Sequence, residues 1–480
     1  MLDLAGNCAR VCICGLSGDS GKTIVSLSLL AVIRQKALSV SVFKKGPDYI
    51  DAAWLGQVAG KACRNLDTYL ADPTSVQQTF TRTAAESDIA LIEGNRGLFD
   101  GLDLAGTHSS AALAQLLQTP VILVVDCTKT TRTVAAMVRG CLDFDPELQI
   151  AGVILNRVAG KRHQQIVTEA IEKYNGLPVV GAIPKLDKQK RLIPDRHLGL
   201  VPPSEFADES TLLQELGSIG NEFLDIDRIL AIARSAEPLP EIALKADPPT
   251  ATSVRVGYFN DPVFTFYYPE NLEALTTAGA ELVPVNSLSD RELPRIDALY
   301  IGGGFPETFA EKLSANESLR QAVKAAGETG LPIYAECGGL IYLSRTLTWQ
   351  NQTYPLAGLL PLDLELRERP VGHGYTECEV DRANPYFPEG SILRGHEFHY
   401  SAPLNPNAVE CCLQMHKGVG VSGGRDGILY KSTFACYTHL HAAGVPGWAP
   451  ALVQQAGKYR RRRSGGGGGG KALAHTAAMN

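Results

Sequence analysis

No apolar run in this 480-residue chain approaches the roughly 20 residues that a membrane-spanning helix needs. The opening MLDLAGNCARVCICG also lacks the basic-then-apolar order of a secretory signal. These absences lead to the expectation of a cytoplasmic protein with no membrane partner. Positive charge is not in excess: 45 Lys and Arg face 51 Asp and Glu, giving a formal charge of -6. Without a general positive field to gather phosphate backbones, nucleic acid is not expected as a partner. The 11 cysteines are odd in number and lack paired CxxC spacings, which argues against a disulfide framework and a Cys-rich zinc site. Cys8, Cys12, Cys14, Cys63, Cys127, Cys141, Cys411 and Cys412 read as reduced thiols packed as small hydrophobes.

What is present is enough apolar material, 45% of residues, for more than one core. Short β-branched runs recur with helical stretches between them: ARVCIC, LSVSVF, DIALIEG, PVILVVD, AGVILN and PVVGAI. That alternation predicts an α/β, doubly wound, mostly parallel sheet buried on both faces over residues 8–234. SAEPLPEIALKADPPTATS, with four prolines and no sustained period, reads as a linker over 235–253. A second α/β domain is expected over 254–447, its later half richer in strands than helices. The tail 457–480, with a basic run and a glycine tract, reads as disordered.

Two motifs carry chemistry. Gly15-Leu-Ser-Gly18-Asp-Ser-Gly21-Lys22-Thr23 lies between a strand and a helix. Backbone N–H groups of such a loop surround phosphate oxygens, Lys22 neutralises their charge and the Thr23 hydroxyl can ligate Mg²⁺. Five residues separate Gly15 from Gly21, one more than in the common phosphate-loop pattern. Asp48, in FKKGPDYID, and Glu93, in IEGNRGLFDG, stand at strand ends that share a crevice with the loop, and are expected to complete a Mg²⁺ shell with Thr23. Asp51 and Asp100 read equally as turn-formers or substrate-orienting groups.

In the second half, Pro332-Ile-Tyr-Ala-Glu-Cys337-Gly-Gly-Leu places a thiol where a strand gives way to a helix, at an elbow expected to display it. His439 and His441 in ACYTHLH would share one face of a strand, and either can serve as its base. Gly303 and Gly304 in YIGGGFPE offer N–H groups to an oxyanion. No Glu follows His439 closely, so no third member of a triad is evident. His396, Glu397 and His399 in GHEFHYS lack the helical spacing of a metal motif and read as structural or supporting.

These strings, in this order, resemble the cobyrinic acid a,c-diamide synthase family: GPDYID, RNLD, EGNRGLFDG, AECGGL and YxH, with the longer phosphate loop similar to that of dethiobiotin synthetase. The resemblance extends to about residue 447. It implies a class I glutamine amidotransferase domain with Cys337 as nucleophile and His439 as base, ATP and Mg²⁺ as cofactors, and Asn156 as an adenine contact. It also implies L-glutamine and a tetrapyrrole carboxylate as substrates. ATP would convert the carboxylate to an acyl phosphate and glutamine-derived ammonia would displace the phosphate. Ala52-Ala-Trp54-Leu55 and Lys45 depart from the family pattern beside the expected substrate crevice, which leaves sirohydrochlorin or sirohaem as an alternative ring. Arg191, Arg196 and His197 are expected either to face anionic arms or to form a solvated loop. A regulatory P-loop ATPase with an inactive glutaminase domain is the alternative of another class. A homo-oligomer is compatible with everything above.

Overall fold

The computed structural model describes residues 8–85, 87–186, 192–196, 199–206, 208–240, 243, 250–251 and 253–465. It divides into two compact units, Met1–Ala246 and Asp247–Asn480.

In the first unit strands and helices alternate: β1 (Ala9–Gly15), α1 (Lys22–Gln35), β2 (Val40–Lys45), α2 (Tyr49–Ala59), β3 (Arg64–Leu66), α3 (Pro73–Ala84) and β4 (Ile89–Glu93). There follow α4 (Ser110–Leu116), β5 (Val121–Asp126), α5 (Thr133–Phe144), β6 (Ile150–Val158), α6 (Lys161–Asn175) and β7 (Val179–Pro184). A small pair, β8 (Asp195–Arg196) and β9 (Gly199–Leu200), precedes α7 (Glu209–Phe223) and α8 (Ile226–Arg234). Seven strands form one sheet in the order β3-β2-β4-β1-β5-β6-β7, every neighbour parallel. Val11, Ile13, Leu91 and Val124 pack under α1, α2, α7 and α8. Their alternates Cys12, Ala90, Ile92 and Leu123 are equally buried on the other face, which is why these strands read as unbroken apolar runs. The chain turns from one half of the sheet to the other at β1, and the glycine loop lies at that point. β3 escaped the sequence pattern because three residues show no period.

The stretch read as linker is not uniformly loose. Ala236 and Leu239 are buried, and the Glu237 carbonyl accepts from the buried Arg10 guanidinium.

The second unit opens with β10 (Val254–Phe259), α9 (Pro269–Thr277), β11 (Ala280–Val285), β12 (Ala298–Ile301), α10 (Ala310–Ala315), α11 (Glu317–Glu328), β13 (Ile333–Glu336) and α12 (Gly338–Leu343). A strand-rich part follows: β14 (Thr346–Trp349), β15 (Gln352–Pro355), β16 (Asp363–Leu366), β17 (Gly372–Val380), β18 (Ile392–His399) and β19 (Ser401–Pro403). It continues with β20 (Glu410–Lys417), β21 (Arg425–Tyr430), β22 (Thr433–Cys436) and β23 (His439–Leu440), before α13 (Trp448–Gly465). Ten strands form one sheet, β11-β10-β12-β13-β22-β21-β20-β17-β18-β23, parallel as far as β22 and antiparallel beyond it.

Residues 448–465 correct two expectations: the second unit does not stop at 447, and 457–465 are helix rather than disordered tail. Trp448, Leu452 and Ala456 recur at helical spacing on one buried face. Arg463 Nη2 donates to Asp297 Oδ1 at 3.0 Å, and Arg460 donates to the Ser253 carbonyl, so part of the basic run is anchored. All 11 cysteines are free; Cys8 and Cys411 are half-buried rather than buried.

Candidate active sites

In the first unit the glycines have steric reasons at two of three positions. Gly21 has φ +92°, and a side chain there would run into the Asn156 amide; at Gly15 it would run into the Ser20 hydroxyl. Gly18 faces open space. Lys22 Nζ donates to the carbonyls of Ser17 (3.1 Å) and Arg96 (2.7 Å), which holds it folded over the loop. Burial, then the neighbouring Lys44, lower its affinity for a proton.

Thr23 Oγ1 donates to Glu93 Oε1 at 3.2 Å, joining residues seventy positions apart. Glu93 is fully buried, and its Oε2 has no hydrogen-bond partner among the described residues. An orphaned buried carboxylate oxygen beside a hydroxyl fits a hard cation's preference for oxygen. Lys44, which the sequence reading passed over, lies 2.6 Å from both Asp51 Oδ2 and Glu93 Oε1. Burial opposes its charge, but Asp51 and Glu93 outweigh burial and hold it well above the ordinary lysine range. Two lysines ending an apolar strand were the available signal.

Asp48 caps α2, its Oδ1 accepting from Ile50 and Asp51 N–H at 3.0 and 2.9 Å. Burial and then the Asp51 charge push its carboxyl up to about 7. Asp100 Oδ2 accepts from Gly97 N–H at 2.9 Å, a turn-forming contact. Asn156 Nδ2 donates to the Ser20 carbonyl at 2.8 Å and braces the phosphate loop. Trp54 is a core residue, donating to the Val201 carbonyl at 2.9 Å and meeting Phe206 edge-on, whereas Lys45 is buried at the end of β2. Arg191 and His197 lie outside the described residues.

In the second unit Cys337 stands between β13 and α12 with φ +46°, an unusual conformation for a residue with a side chain. The elbow exists, yet the thiol is not displayed: Cys337 is 5% exposed. Burial, with Glu307 adding to it, pushes the thiol well above its ordinary value. Gly303 and Gly304 do meet the nucleophile turn. A Cβ on Gly338 would lie 3.0 Å from Gly304 N, and one on Gly303 would lie 2.5 Å from His439 Cε1. The glycine loop, the turn of Cys337 and the His439 ring therefore converge.

His441 does not share that position. It follows the two-residue β23, packs on Tyr268 with ring centroids 4.6 Å apart, and lies 3.6 Å from Glu270. His396 stacks on His439 at 4.9 Å, and His399 stacks on Tyr437 at 3.6 Å while lying 3.3 Å from Glu397. Burial, then His439, hold His396 well below the usual histidine range. Among the described residues no group of three or more His, Cys, Asp or Glu is arranged to hold a metal. In this unit the sequence reading missed Glu336, fully buried, with Oε2 at 3.6 Å from His439 Nδ1. It precedes the cysteine and so lay outside a search for an acid after the histidine.

Residues 11–198 match the CobQ/CobB/MinD/ParA nucleotide binding domain, and residues 255–446 the CobB/CobQ-like glutamine amidotransferase domain. With the phosphate loop in one unit and the Cys–His–glycine constellation in the other, these matches define a carbon–nitrogen ligase that takes its amide nitrogen from glutamine and is driven by ATP. The chain is 44% identical over 452 residues to the cobyrinate a,c-diamide synthase of Magnetococcus marinus, covering 93% of this chain and 96% of the relative. It is 39% identical to those of Methanosarcina acetivorans (95% and 97% covered) and Archaeoglobus fulgidus (94% and 98% covered). The chain belongs to the cobyrinate a,c-diamide synthase family. Among the described residues no helix is long and apolar enough to cross a membrane.

Proposed function

We propose that this ligase amidates acetate carboxylates of a cobyrinate-type tetrapyrrole through an acyl phosphate. The observation that carries the reading is that the Lys22–Thr23–Glu93 cluster and the Cys337–His439–glycine constellation occur in one chain alignable nearly end to end with cobyrinate a,c-diamide synthases.

In the second unit Cys337 Sγ attacks the carboxamide carbon of glutamine, His439 takes the thiol proton and passes it to the departing nitrogen, and ammonia leaves. The N–H groups of Gly303 and Gly304 receive the negative oxygen. Water then cleaves the glutamyl thioester, releasing glutamate and restoring the thiol. In the first unit an oxygen of the substrate carboxylate attacks the γ-phosphorus of ATP, ADP leaves, and ammonia displaces phosphate from the acyl carbon. Lys22 and the loop N–H groups bind and orient the phosphates. Mg²⁺, held by Thr23 and Glu93 with Asp48 in the same acidic cluster, would supply charge neutralisation during phosphoryl transfer. Lys44 holds Asp51 and Glu93 in place through its two ion pairs.

The test is mass spectrometry of cobyrinic acid, sirohydrochlorin and sirohaem incubated with ATP, Mg²⁺ and amide-¹⁵N glutamine. Labelled amide on cobyrinic acid is the expected result. Label confined to a sirohydrochlorin-type ring would retain the chemistry and replace the substrate; no label on any ring would overturn the reading.

A further inference from the structure

The short strand β23 delivers the base, and two hydrogen-bonded residues are a weak hold on a catalytic ring. On one side it pairs with β18, His439 opposite His396. Its other restraints are side chains. Leu440 N–H donates to Glu336 Oε1 at 3.3 Å, and the Leu440 carbonyl accepts from Asn271 Nδ2 at 2.8 Å. Glu336 Oε2 accepts from the Tyr300 hydroxyl at 3.3 Å and lies 3.6 Å from His439 Nδ1. The same carboxylate thus grips the backbone next to the base and faces the ring.

We infer that Glu336 is a positioning residue for His439, supplying from the residue before the nucleophile the negative charge that no residue after the histidine supplies. The inference rests on the glutaminase reading above. Three other carboxylates of this unit are engaged elsewhere: Glu397 with Val419 and Gly420 N–H (2.6 and 2.9 Å), Asp426 with Tyr437 and Thr438 N–H (both 3.0 Å), and Glu270 beside His441. A carboxylate facing Nδ1 favours the tautomer with its proton there, leaving Nε2 to take a proton from the thiol. It also faces the imidazolium formed in that step. His439 is 2% and Glu336 0% exposed at the side chain, so little solvent screens the pair. The ring stacked on the base, His396, is held neutral by burial and does not repel the charge as it forms. Other titratable groups about the pair include Tyr268, 3.3 Å from His396 Nδ1, Tyr300, Tyr334 and Cys436 on the Glu336 side, His441 and His373 about His396, and Glu307 beside Cys337.

Glu336→Gln tests this in the full chain, because the amide oxygen can still accept from Leu440 N–H while the charge is gone. Glutamate release from glutamine is followed against glutamine concentration, with Cys337→Ala as the blank and ammonium-driven synthesis as the measure of an intact fold. The expected result is a fall of about 10- to 100-fold in kcat with KM for glutamine little changed, since positioned acid–base groups contribute about 10²–10⁴-fold and an interaction made only as the reaction proceeds is lost from kcat and not from substrate binding. Ammonium-driven synthesis should be unchanged, and Glu336→Asp should restore part of kcat. A loss carried by KM with kcat intact, or no loss at all, would overturn the inference. No glutamate release by the unaltered protein would sink the amidotransferase reading and this inference with it.

Discussion

A methyl group added at position 303 would lie 2.5 Å from His439 Cε1, well inside the usual separation of carbon atoms. Gly303→Ala should therefore displace the base and cut glutamine-driven amidation by about 10-fold or more, since a misplacement of about 1 Å can cost about 100-fold. Synthesis from high ammonium should be untouched, which comparing the two nitrogen sources in one assay will establish. At this scale the Cys337 elbow was legible because an apolar strand, a cysteine and two glycines form a local pattern. Thr23 and Glu93 were legible through the rule that strand ends share a crevice. Glu336 and Lys44 were not: each looks like an ordinary strand residue until the fold brings its partner to it.

At the scale of the element, α2 carries a titrating cap. The Asp48 carboxyl, pushed up to about 7, keeps a proton in the folded state that the unfolded chain sheds near 4. Between those values the folded state binds more protons, so this group's contribution to stability falls as pH rises. Asp48→Asn keeps the capping oxygen without the titration. Its melting temperature should exceed that of the unaltered protein at pH 8, with the gain shrinking as pH is lowered toward 4. The last helix offers a packing test. Leu452 is completely buried between α13 and the sheet, and Leu452→Ala should cost about 2–5 kcal/mol, read from denaturant unfolding. Composition hid this helix: a run of arginines ahead of a glycine tract outweighed the Trp448, Leu452, Ala456 spacing that marks its buried face.

Across the whole molecule, the two kinds of chemistry belong to separately compact units, and that predicts a pattern of loss. Lys22→Ala should abolish amide synthesis from glutamine and from ammonium alike. Cys337→Ala should abolish only synthesis from glutamine, and product formation with each nitrogen source checks both. The first unit's architecture was legible because a parallel sheet covered on both faces writes each strand as a continuous apolar run. The second unit's was legible only to the level of strands and helices. Its sheet sets β13 beside β22, about a hundred residues later, and such long-range pairing leaves no local trace.

Cys337 sits at 5% exposure with its thiol kept protonated by burial. Alkylating agents and peroxides attack the thiolate and need access to it, and the resting protein offers neither. Iodoacetamide should therefore label Cys8 and Cys411, the half-buried thiols, before it reaches the catalytic one. In the proposed cycle the Cys337 thiol stays protonated until His439 takes its proton, so slow labelling of Cys337 in the resting protein is the expected outcome.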